Sequence, residues 1–131
     1  MKAYTDLEQS KKLAEILPFE SADMHYATWT ILDGDFIVSP NQGSTIEDLQ
    51  EDYGEQIIPC WSLAALLNYL REIDFFPKIE ANEFSVTMNV CYYGKNKRKV
   101  LTPIHEIKVE AESFVDTCYE LILKLNEMKI L

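Results

Sequence analysis

The chain has 131 residues, 22 acidic against 12 basic side chains, and a formal net charge of −10. That length is enough for one ordinary domain core with no metal or disulfide staple, and the acidic balance argues against direct nucleic-acid binding, which needs clustered Lys and Arg. Cys60, Cys91 and Cys118 form no Cys-x-x-Cys pair, no apolar signal core follows Lys2, and no run approaches the roughly 18 apolar residues of a membrane span, so a cytoplasmic protein with reduced thiols is expected.

Thr5-Asp6-Leu7-Glu8 has the form of a capping box, with Thr5 as cap and Glu8 returning to it. Leu7, Leu13, Ala14, Ile16 and Leu17 then predict an amphipathic helix over 5–16 that stops before Pro18. Residues 19–26 read as an ordered connection that packs Phe19 and Met24 inward, with at most one helical turn capped by Ser21. From Tyr26 to Val38, aromatic and β-branched residues around Asp33-Gly34 predict a hairpin, because both turn residues tolerate positive φ. Ser39-Pro40-Asn41-Gln42-Gly43 breaks the pattern, and Ser44 with Glu47 offers a second capping box for a short acidic helix or loop.

The strongest element is expected at 57–70, where Leu63, Leu66, Leu67 and Leu70 follow a 3.6-residue period and Ala64 and Ala65 suit a helix enclosed on several sides. Pro59 suits its approach, and Cys60 or Ser62 supplies the cap, Ser62 being the better acceptor. Phe75-Phe76-Pro77 reads as an apolar turn after it. Alternation of Phe84, Val86, Met88, Val90 and Tyr92 predicts a strand over 84–92, and Lys95-Asn96-Lys97-Arg98-Lys99 after Gly94 reads as a charged hairpin tip. The chain returns along that strand through residues 99–101 and 104–109, with Pro103 favouring an edge. Ser113 caps a last helix over 113–126, whose apolar stripe is Phe114, Cys118, Leu121, Ile122 and Leu125. The expected fold class is α+β: a single domain over residues 1–131, with a small antiparallel sheet and helices packed mainly on one face, the two strongest helices sharing its core.

In Ser21-Ala22-Asp23-Met24, Ile58-Pro59-Cys60-Trp61-Ser62-Leu63-Ala64-Ala65-Leu66-Leu67 and Phe114-Val115-Asp116-Thr117-Cys118-Tyr119-Glu120-Leu121, the chain resembles a family of small uncharacterised proteins of gut Bacteroidetes, their prophages and mobile elements. Arg71-Glu72-Ile73-Asp74 stands where that family has a small residue and an apolar or proline-rich stretch. The resemblance implies a shared small domain and brings no activity, cofactor or site residue with it.

Two classes of function compete. Residues 1–56 hold 12 acidic side chains against 3 lysines, whereas residues 57–131 hold 10 acidic and 9 basic. Asp48, Glu51, Asp52 and Glu55, if they share a surface, attract a basic protein and make the chain an accessory or protein-interaction module; an ordinary solvated acidic face is the plain alternative. The other class is a cysteine-dependent hydrolase or transferase. Cys60 beside a helix start is its nucleophile and His25 or His105 its base, against the plain reading of a packed thiol. Asp23 and His25 form a further acid–base pair on paper, but the favoured reading has Asp23 capping local backbone and His25 at a surface or core boundary. No zinc, calcium, phosphate-loop or nucleophile-elbow spacing is present, so neither a metal nor a cofactor is expected.

Overall fold

The computed structural model describes residues 2–28, 36–41, 48, 57–73, 75–81, 86–92 and 105–128. In chain order these form α1 (Leu7–Ala14), a 3-10 turn (Phe19–Ser21), β1 (Met24–Thr28), β2 (Phe36–Pro40), β3 (Ile57–Cys60), α2 (Leu63–Glu72), β4 (Phe75–Ala81), β5 (Val86–Tyr92), β6 (His105–Ala111) and α3 (Phe114–Glu127). The strands make two antiparallel sheets, ordered β2-β1-β3 and β4-β5-β6, so the fold is α+β. Two compact units divide the chain: Ala3–Ala65, and Leu66–Leu131 with Met1–Lys2. Among the described residues no helix is long and apolar enough to cross a membrane.

In the first unit the capping box that opens α1 sits one residue later than the sequence pattern predicts. Asp6, not Thr5, is the cap: its carboxylate accepts from the Gln9 N–H at 2.8 Å, and the Gln9 side-chain oxygen accepts from the Asp6 N–H at 3.1 Å. Thr5 is unavailable for that role because its own N–H donates to the Trp61 carbonyl at 2.9 Å, beside an antiparallel bridge between Tyr4 and Ser62. The chain at Thr5 is therefore held extended, and helical geometry begins only beyond it. Leu13 and Leu17 are buried, α1 packs against β3, and the helix ends at Ala14, ahead of Pro18. Phe19 and Met24, expected inside, are half-buried.

β1 and β2 pair as an antiparallel hairpin from Met24↔Pro40 to Thr28↔Phe36, so the arms take in Met24-His25, expected in a connection, and Ser39-Pro40, expected to break the pattern, in a register that a two-residue turn at Asp33-Gly34 does not give. The expected Asp33-Gly34 turn lies outside the described residues. β3 corrects the expectation of helix from residue 57. Ile57-Ile58-Pro59-Cys60 is a strand antiparallel to β1, running from Ala27↔Ile57 to Met24↔Cys60. A four-residue apolar run is as compatible with a buried strand as with a helix, and two β-branched isoleucines tip this one toward the pleat. Helix starts at Leu63, once Ser62 supplies a cap: its hydroxyl accepts from the Ala65 N–H at 3.2 Å. Only Leu66 and Leu70 of α2 are buried, and Ala64 is exposed, so the helix hides one stripe rather than several sides.

In the second unit, the expected apolar turn at Phe75-Phe76-Pro77 is the start of a seven-residue strand that pairs with β5 from Phe75↔Tyr92 to Ala81↔Val86. Proline lacks the N–H that a ladder uses, and β4 tolerates Pro77 because it pairs on one side only within this sheet. β5 is the central strand and β6 returns along it from Val86↔Ala111 to Tyr92↔His105. The expected basic tip at residues 95–99 and Pro103 lie outside the described residues. α3 packs against β5 and β6, with Ser113 as its cap accepting from the Asp116 N–H at 3.0 Å. Its buried stripe is Val115, Cys118, Leu121, Ile122 and Leu125; Val115 takes the place predicted for Phe114, which is half-buried. The Lys2 ammonium pairs with the Asp116 carboxylate at 2.6 Å in the first turn of α3, where negative charge also favours the helix dipole.

Candidate functional site

Cys60 is the last residue of β3, and its side chain is fully buried. The thiol donates to the Thr5 carbonyl at 3.4 Å, and the Thr5 hydroxyl lies 3.6 Å from the sulfur. The same Thr5 carbonyl accepts the Tyr26 hydroxyl at 2.8 Å, while the Thr5 and Ser10 hydroxyls share a 2.8 Å hydrogen bond and the Trp61 N–H donates to the Thr5 hydroxyl at 3.2 Å. Thr5, Ser10, Cys60 and Tyr26 thus form one buried polar network that joins the N-terminal segment and α1 to β1 and β3. Burial pushes the Cys60 thiol above its ordinary pKa, outweighing hydrogen bonds from Thr5, Ser10 and Tyr26 that favour the thiolate. Burial also raises the Tyr26 phenol, reinforced by the neighbouring Cys60.

His25 does not share this site. In the β1–β3 ladder Met24 pairs with Cys60 and His25 pairs with Pro59, and successive side chains on a strand point to opposite faces. Tyr26 and Cys60 accordingly meet on one face of the sheet, and His25 belongs to the other. There it is 4% exposed, and its Nδ1 lies 2.8 Å from the Asn41 side-chain oxygen. The Asn41 amide nitrogen donates to the Ala22 carbonyl at 3.0 Å, which turns its oxygen toward the imidazole and makes His25 Nδ1 the donor. The backbone N–H of Asn41 donates to the Asp23 carbonyl at 2.9 Å, so the His25–Asn41 pair closes the end of the β1–β2 ladder. His105 opens β6, opposite Tyr92, in the other unit.

Asp23 is exposed and works at the N-terminus of α2. Its carboxylate accepts from the Ser62 N–H at 2.9 Å and from the Ser62 hydroxyl, the same hydroxyl that accepts from Ala65. This corrects the expected local cap: the Asp23 carboxylate serves Ser62, 39 positions away in sequence, at the start of α2. Beside it, Ser21 donates to the Pro18 carbonyl at 2.6 Å and accepts from the Trp61 indole N–H at 2.9 Å, so it stitches the 3-10 turn to a fully buried Trp61 instead of capping that turn.

Of the four acidic residues expected on a protein-binding face, Asp48 is helical and exposed, and Glu51, Asp52 and Glu55 lie outside the described residues. Among the described residues no group of three or more His, Cys, Asp or Glu side chains converges as a metal ion would require. The relay that sequence reasoning missed is the Thr5–Ser10–Cys60–Tyr26 network. Its members are 55 residues apart at the extremes, and the one local spacing, Thr5 five residues before Ser10, matches no capping or turn pattern. No protein-family model, curated protein or solved structure matches this chain.

Proposed function

We propose that the chain is a small acidic protein-interaction module that docks a basic protein, with Asp48, Glu51, Asp52 and Glu55 as its docking carboxylates. The observation that carries this reading is the charge asymmetry, a net of −9 over residues 1–56 against −1 over residues 57–131. A field of one sign over one part of a protein raises the encounter rate with an oppositely charged surface and falls with added salt. The exposed Asp48 supports it. The buried, hydrogen-bonded state of Cys60 and its separation from His25 support a structural rather than a nucleophilic use of the thiol, which weakens the hydrolase or transferase alternative. In this reading the module works in the cytoplasm, and the resemblance to small proteins of Bacteroidetes and their prophages makes it an accessory product of a mobile element.

The test is direct. A lysine-rich model peptide, titrated at low and physiological salt, should bind the chain with an affinity that falls as salt rises. Replacing Asp48, Glu51, Asp52 and Glu55 together by their amides should weaken that binding about tenfold or more, which corresponds to roughly 1.4 kcal/mol. Unchanged affinity after neutralisation, with the fold intact by circular dichroism, would remove this surface from consideration.

A further inference from the structure

We draw no further inference here: the strongest candidate, the open cleft of about 220 Å³ lined by Val109 of β6 and Glu120, Leu123, Lys124 and Glu127 along one flank of α3, mixes both signs of charge at its rim, and nothing in the structure shows what covers it.

Discussion

Thr5 shows how a single side chain can be taken from one role by another. Its hydroxyl and both backbone polar groups are engaged with Ser10, Trp61, Tyr26 and Cys60, all of them buried. Replacing it by valine keeps the branched shape but leaves the Trp61 N–H without the buried hydroxyl it donates to, and takes from the Ser10 hydroxyl one of its buried partners. A stranded buried polar group costs about 1–3 kcal/mol. Thr5→Val should therefore lower the unfolding free energy by that amount, read as a lower urea midpoint at unchanged slope, and Thr5→Ser, which keeps the oxygen, should lose less. A loss in Thr5→Ser as large as that in Thr5→Val would show that the methyl group matters as much as the hydroxyl at this position. Cys60 sits in the same network, and its thiol is both inaccessible and held protonated. Because the thiolate is the reacting species, Cys60 in the native protein should resist alkylation at pH 7 to 8 and react readily once the chain is unfolded. Mass spectrometry of the Cys60 peptide reads both states. Fast native labelling with a pH midpoint below that of a free thiol would restore the nucleophile.

At the scale of elements, the start of α2 depends on two residues acting in series. Ser62 caps the helix, and Asp23 fixes the Ser62 hydroxyl and adds negative charge at the positive end of the helix. Ser62→Ala should cost about 1 kcal/mol. Asp23→Ala should cost a comparable amount in the presence of Ser62 and clearly less in its absence, since residues in one hydrogen-bonded chain are not additive. A four-member denaturation cycle measures that coupling, and strict additivity would mean that Asp23 does not act through Ser62. The same region marks the limit of what the sequence shows. Ser62 and Ser113 are legible as caps because each signal is local: a hydroxyl three residues before the N–H it satisfies. The arms of the β1–β2 hairpin and the alternating strand β5 are legible for the same reason, as short-period patterns. β3 and β4 are not, because Ile57-Ile58-Pro59-Cys60 and Phe75-Phe76-Pro77 are brief apolar runs containing proline, and what makes them strands is the neighbouring strand. The Tyr26 and Cys60 links to Thr5 and the Asp23–Ser62 contact are not legible on the same grounds, since they join residues 21, 55 and 39 positions apart.

Across the whole molecule, ionisation should set an upper pH limit to stability. Cys60, Cys118, Tyr26 and Tyr69 all have pKa values raised chiefly by burial, and for Cys118, fully buried in the stripe of α3, the value is pushed up to about 12. Each of these groups is neutral when protonated and loses that proton more easily in the unfolded chain than in the folded one. Their stabilisation is thus complete below the unfolded pKa, roughly 8.5 for a thiol and 10 for a phenol, and is lost as pH rises toward the folded values. Between those limits a thiol that stays protonated only in the fold contributes a slope of about −1.4 kcal/mol per pH unit. Urea midpoints should accordingly be level from pH 7 to 8 and fall steadily above pH 9. Growing negative charge on an already acidic protein acts in the same direction, so wild type alone does not separate the two causes. Cys118→Ala does. It lowers stability at every pH through the lost sulfur, but its alkaline slope should be shallower than wild type by up to that same amount per unit. Parallel curves for the two proteins would mean that the Cys118 thiol ionises as readily in the fold as outside it, leaving the limit to self-repulsion and to Cys60, Tyr26 and Tyr69.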